Sequence, residues 1–193
     1  MPRPSHSEGK PGAEEEFKQG LCEKLGALGL EAGSTVKVWM MDEARFGLHT
    51  EMRRVWTLRG RRPVVARQIK YEWDYLYGAL SVIGGEAHFA HLPGVSLEWD
   101  ETSLRDGDPR LPARVRIIDL PPYTPELNPC EQLWDIVKDD IANRIHATVT
   151  KLRAGMRPTL QRFWEAPRAV LSLFGRQWLQ VELSASHGIE VSC

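Results

Sequence analysis

Leu120-Pro-Pro-Tyr-Thr-Pro-Glu-Leu-Asn-Pro-Cys-Glu-Gln-Leu-Trp134, continued by Asp135-Ile-Val-Lys138, is the stretch on which the reading of this chain turns. Pro121, Pro122 and Pro125 fix φ and withhold their N–H groups, so the chain stays rigid and irregular here. Asn128-Pro129 then opens a helix. Asparagine is a good N-cap, and proline at the first helical position gives up an N–H that has no partner there anyway. Leu133, Ile136, Val137, Ile141 and Ile145 recur at helical spacing and form one apolar stripe, which predicts a helix lying against a sheet. Upstream, Val115-Arg-Ile-Ile-Asp-Leu120 reads as a strand. The unit is therefore strand, rigid turn, amphipathic helix.

Outward from this unit, Val36-Lys-Val-Trp-Met-Met41 is a compact apolar run that reads as a buried strand ending in Asp42-Glu43. Arg54 to Leu58 and Tyr75 to Ile83 read as two more strands, separated by the turn-forming Arg59-Gly60-Arg61-Arg62-Pro63. Glu86 to Leu92 reads as a fourth, closing a meander through Gly84-Gly85. Residues 93 to 113 have no period and read mostly as loop. Residues 1–13 form a Pro/Gly/Ser-rich lead-in, and 14–33 a short helical linker with Phe17, Leu21, Leu25 and Leu28 at helical spacing. Thr148 to Leu183 is helical in period, with breaks expected near Pro158 and Pro167. The fold class is α/β, one sheet flanked by helices over residues 34–183, with 184–193 as a tail.

The composition bounds the function. With 193 residues, 42% hydrophobic and 26% charged, the chain has enough apolar side chains to build one ordinary core. No apolar run reaches the length of a membrane span, and the polar start lacks the apolar centre of a secretory signal. Cys22, Cys130 and Cys193 are odd in number and far apart, which suits a reducing cytoplasm and neither a disulfide framework nor a paired-cysteine zinc site. The net charge of −1 hides two basic blocks. Between Ala44 and Lys70, eight basic residues face Glu51 alone, and between Arg144 and Arg168 six face Glu165. Such blocks are what a polyanion-binding face produces, although scattered solvated arginines give the same tally.

The Pro-rich string, together with Met41-Asp-Glu-Ala-Arg-Phe-Gly47, resembles the catalytic domain of DDE transposases, in the bacterial insertion-sequence branch of the mariner superfamily. Trp56 to Pro63 and the strand at Tyr77-Gly78-Ala79-Leu80 fall where that family places them, so the resemblance runs from about Val36 to about Gln180. It implies a ribonuclease-H-like fold and a carboxylate triad that binds Mg²⁺ or Mn²⁺ and carries out DNA strand cleavage and strand transfer. Residue by residue, Asp42 resembles the first aspartate, and Glu131 the last acidic residue, as catalytic and metal-binding groups. Arg45, Arg53, Arg54, Arg59, Arg61, Arg62 and Lys138 are the candidate DNA-binding residues. The implied partners are double-stranded DNA, at low specificity because no helix-turn-helix region precedes Val36, and a second copy or a full-length transposase.

The second aspartate is not identifiable. Only 24 residues separate His91 from Arg116, too few for the family's intervening elements, so an internal deletion near residues 100–106 is expected, with the second-aspartate strand lost. Asp119 is the candidate substitute, with Asp100, Asp106, Asp108 and Asp135 behind it. The expectation is a transposase-derived protein with impaired catalysis, and the alternative is a non-catalytic nucleic-acid-binding or dimerising remnant. Each site residue also has a structural reading. Glu131, three positions after Asn128, fits a capping box. Asp42 fits a strand-ending turn, and Trp56 and Trp134 fit the core. Cys130 sits near a helix N-terminus, where thiol pKa values fall. His88 and His91 fit a strand pair better than a metal site.

Overall fold

The computed structural model describes residues 10, 12–28, 35–92, 109, 112, 114–174 and 190–191. The elements are α1 (Ala13–Ala27), β1 (Thr35–Val36), β2 (Trp39–Gly47), β3 (Trp73–Ser81), β4 (Ala87–Leu92), a 3₁₀ turn (Pro125–Leu127), α2 (Pro129–Ile141), α3 (Val149–Glu165), α4 (Pro167–Leu173) and β5 (Glu190–Val191). The architecture is mixed α/β. Strands β2, β3 and β4 make an antiparallel sheet in that order, and β1 pairs with β5 in parallel. The β5 residues lie in the expected tail.

Alternation along β3 decides which face of the sheet is covered. Asp74, Leu76, Gly78 and Leu80 are buried, while Trp73, Tyr75, Tyr77 and Ala79 are half-buried. The register places Asp42 opposite Gly78, and Gly78 opposite Phe89, so these share the covered face. Helix α2 packs there. Leu133, Trp134 and Val137 are fully buried against the sheet, each contributing about 1.5–3 kcal/mol by leaving water. Gly78 permits the close approach, because a Cβ on it would stand 2.6 Å from the Trp134 ring.

The start of α2 is fixed to the edge of β2. The Asn128 side chain caps the helix by accepting from the Cys130 N–H (3.1 Å), and its amide donates to the Met41 carbonyl (3.0 Å). Val82 N–H donates to Val38 O (3.1 Å), so by alternation the Met41 carbonyl faces away from β3. Upstream, the rigid turn is closed by Thr124 Oγ1 donating to Pro121 O (2.6 Å), with Tyr123 held at φ 63°, a left-handed conformation costly for a bulky residue.

Several expectations need correction. The strand expected over Val36–Met41 is split: Val36 belongs to β1, and β2 begins at Trp39 and runs on to Gly47, so Asp42 sits inside it. The inward alternation of Ala44 and Phe46 carries the strand past the charges that read as its end. Arg54–Leu58 and Val115–Leu120 are not strands. Residues 51–64 form an exposed arm between β2 and β3, and Trp56, read as core, is wholly exposed. Only the base of the arm is laddered, through Leu48 N–H to Glu72 O (2.9 Å) and Thr50 N–H to Gln68 O (3.0 Å). Among the described residues, β2 has no strand partner but β3.

Helix α2 stops at Ile141, leaving Ile145 exposed, because Asn143 turns left-handed (φ 57°) and clasps the Arg53 backbone in both directions, at 3.1 Å each way. Pro158 does not break α3. It lies on the exposed face, while Leu152, Met156, Leu160 and Phe163 hold the helix to the core. The break at Pro167 is present, between α3 and α4. Phe17, Leu21 and Leu25 of α1 join the main core cluster, so this segment is more than a linker. The expected deletion junction, with Asp100, Asp106 and Asp108, lies outside the described residues.

Candidate active site

Asp42 rises from the covered face of β2, and Glu131 stands in the first turn of α2, near enough for the Asp42 charge to act on it. Trp134, one turn on from Glu131, donates its indole N–H to Asp42 Oδ2 (2.9 Å). The same ring meets Phe46 edge-on, with centroids 6.2 Å apart. Trp134 is therefore both core and a positioning group for Asp42. The sequence spacing put this indole on the face that meets the sheet, but not in contact with Asp42.

Both carboxyl groups have raised pKa values. Burial raises the pKa of Asp42, opposed by the Glu43 backbone N–H and by Trp134; the Glu43 charge raises it further and Lys138 lowers it. Glu131 is exposed at the surface, and partial loss of solvent around its carboxyl raises its pKa, with the charges of Asp42 and Asp135 adding and Lys138 opposing. Asp42 and Glu131 thus share one electrostatic environment, with Lys138 as the nearby cation. Asp119 is exposed in the extended segment before the turn, and it is not among the charges acting on either group. Asp135 faces Arg53 at 3.3 Å.

The capping-box reading of Glu131 and the low-pKa reading of Cys130 both fail. The Asn128 N–H is taken by Pro125 O (3.0 Å), and no described residue donates to the Glu131 carboxylate, so there is no capping box. The Cys130 thiol is buried and donates toward Met40 O (3.4 Å). Burial, with the charges of Asp42 and Glu131 adding, pushes its pKa up rather than down. It is a protonated core thiol.

The basic residues divide into two groups. Arg53 is engaged by Asp139 (3.0 Å) and Asp135 (3.3 Å), and Arg45 stacks over Trp73 (4.2 Å). Arg54, Arg59, Arg61 and Arg62 are exposed on the arm around Trp56, and Lys138 is half-buried. His88 and His91, three apart on β4, fall on opposite faces of the sheet. His91 instead pairs with the fully buried Asp74 (2.7 Å), which also takes Arg153 through Nη2 (2.6 Å) and Nε (2.9 Å). The sequence reading missed this cluster, although an acid at an inward position of an apolar alternation requires partners.

Among the described residues, no group of three or more His, Cys, Asp or Glu side chains converges to hold a metal. The Asp42–Glu131 pair is nevertheless of the right chemistry for a hard divalent cation, which takes oxygen ligands and would relieve the like-charge repulsion.

No protein-family profile matches the chain. A 70-residue stretch is 27% identical to the uncharacterized protein y4pE/y4sA of Sinorhizobium fredii, covering 36% of this chain and 52% of that protein. The chain thus spans about half the length of this curated relative. Among solved structures, it is similar to a Mos1 transposase paired-end complex with the left transposon end. The TM-score is 0.54 at 12% identity, over 98% of this chain and 67% of the other. It is similar also to a Mos1 mariner paired-end complex with Mn, with TM-score 0.54 at 12% identity, over 93% and 65%. The likeness is one of fold: the chain has a transposase-like mixed α/β fold.

Proposed function

We propose that this is a transposase-derived protein of the DDE type, whose ancestral chemistry was divalent-metal-dependent DNA strand cleavage and strand transfer. The observation that carries the reading is the Asp42–Glu131 pair, held by strand, cap and indole on a fold shared with a transposase. Mg²⁺ or Mn²⁺ bound there would supply charge neutralisation at a phosphodiester and activation of a hydroxyl nucleophile. The chain's own residues hold the carboxylates. Trp134 orients Asp42, Asn128 sets the first turn of α2 and so the height of Glu131 above the sheet, and Lys138 tempers the negative charge. The exposed arginines of the arm bind DNA phosphates without sequence preference.

Two carboxylates do not complete a two-ion clamp, so we propose that catalysis is impaired in this chain; Asp119, the third ligand expected from the sequence, is exposed and acts on neither carboxylate, and is tested directly. A plasmid-nicking assay with Mg²⁺ and with Mn²⁺ tests this. Nicking no greater than that of the double variant Asp42→Asn, Glu131→Gln is expected. Robust nicking abolished by Asp42→Asn alone would overturn the impaired reading, and its further loss on Asp119→Asn would identify the third ligand. The second reading, a non-catalytic DNA-binding or dimerising remnant acting alongside a full-length transposase in the cytoplasm, is favoured by the exposed arginine-rich arm. It predicts salt-sensitive duplex binding with no nicking.

A further inference from the structure

Where β2 runs into the arm and α2 gives way to α3, the chain encloses a cavity of about 130 Å³. Its apolar wall comes from Phe46, Leu48, Ile141 and Leu152, and Lys138 and Arg144 line it from the α2 side. Its two cations are not closely ion-paired, although Lys138 feels the charges of Asp42 and Glu131 at longer range. No described carboxylate stands at ion-pair distance from Lys138 or Arg144, and the one acid in the lining, Glu51, leans toward Arg53 at 4.0 Å. Two carbonyls at the C-terminal end of α2, which would repel an anion, are already occupied. Ile141 O faces His146 Nε2 (3.4 Å), and Asp139 O accepts from Ala142 N–H (3.3 Å).

Lys138 links the cavity to the carboxylates. Lys138 acts electrostatically on both Asp42 and Glu131, and it follows Glu131 by seven residues, about 10 Å along the helix. The space is large enough for one tetrahedral oxyanion.

We infer that this cavity, lined by Lys138 and Arg144, is a binding site for a terminal phosphate of a nucleic-acid strand, about two helical turns along α2 from Glu131. A chain end fits better than an internal phosphodiester because the cavity is a recess, and because a terminal phosphate carries nearly two negative charges against the one of a diester. The inference rests on the reading of the chain as a DNA-binding, transposase-derived protein.

The test uses the full chain and short labelled duplexes with 5′-phosphate, 3′-phosphate or hydroxyl ends, together with phenyl phosphate as a small monoester probe followed by NMR. The expected result is five- to tenfold tighter binding of one phosphorylated duplex than of the hydroxyl-ended one. Arg144→Gln should abolish that preference and leave hydroxyl-ended binding within twofold. The 5′ and 3′ arms identify which end is held. Equal affinity for all three duplexes in the wild type overturns the site while leaving DNA binding intact. An equal loss for hydroxyl-ended DNA in Arg144→Gln assigns the residue to the strand backbone and also overturns the site. Phenyl phosphate bound in an Arg144-dependent way by a chain that binds no duplex upholds the phosphate pocket and refutes the DNA-binding reading instead.

Discussion

Replacing Gly78 with alanine should damage the core and the candidate site together. The added methyl would stand 2.6 Å from Trp134 Cη2 and 3.0 Å from Cζ2, closer than carbon atoms tolerate. Trp134 has little room to retreat, being 1% exposed, edge-on to Phe46 and hydrogen-bonded to Asp42. Overpacking of this kind costs about 1–3 kcal/mol. Displacing the indole also weakens a hydrogen bond to a charged group, of the class that contributes about 1.5–3 kcal/mol. Part of the second loss is recovered by water at the half-buried carboxylate, so the sum is about 2–4 kcal/mol. With a urea m-value of roughly 2 kcal/mol per molar, the unfolding midpoint should fall by about 1–2 M at unchanged m. The diagnostic is a double-mutant cycle. In a Trp134→Leu background the ring is gone, and Gly78→Ala should then cost less than about 1 kcal/mol. An equal cost in both backgrounds would refute the claim that the glycine exists to admit the indole.

Asp42 and Glu131 have pKa values raised above the ordinary carboxylate range, so the folded state holds their protons more tightly than the unfolded chain. Their contribution is then most favourable in acid, and it declines as pH climbs from the unfolded values near 4 through the raised folded ones. Asp42→Asn should accordingly raise the melting temperature at pH 7, with the gain shrinking as pH falls toward 4; a gain independent of pH would contradict the burial argument. Asp74→Ala strips a fully buried carboxylate from Arg153 and His91, and because the Arg153 side chain is 40% exposed and can turn to water, the cost should be about 2 kcal/mol, read by urea denaturation. Replacing Arg61 and Arg62 together with alanine should reduce the slope of log K against log salt for duplex binding by about 2, at about 0.9 per phosphate contact, with stability unchanged. Arg53→Ala, by contrast, should lower stability, since that guanidinium ties the arm to Asp135 and Asp139.

Much of the site was legible because its determinants are local. Asn128-Pro129 specifies where α2 begins whatever surrounds it, and the stripe Leu133, Val137, Ile141 specifies the face that must be covered, so Glu131 is placed by its distance from the cap. The alternation around Tyr75 to Leu80 and the Gly84-Gly85 turn likewise read directly as a hairpin. The errors fall where a partner outside the window decided the outcome. Val55, Trp56 and Leu58 have strand composition but, among the described residues, no neighbouring strand to pair with, and without a ladder a run of β-formers is only extended chain. Ile145 continues the apolar period, yet Asn143 clasps the Arg53 backbone and stops the helix first.

The sequence by itself determined the helix that carries Glu131, the strand that carries Asp42 and the basic composition of the arm, because caps, periods and charge blocks act within a few residues of one another. Only the tertiary structure decided that Trp134 reaches across 92 positions to hold Asp42. The same holds for the gathering of Asp74, His91 and Arg153 and for the cavity that opens between Lys138 and Arg144. These depend on strand register and on how closely α2 can approach the sheet over Gly78. Those quantities are set by the packing of groups distant in sequence, and no local pattern encodes them.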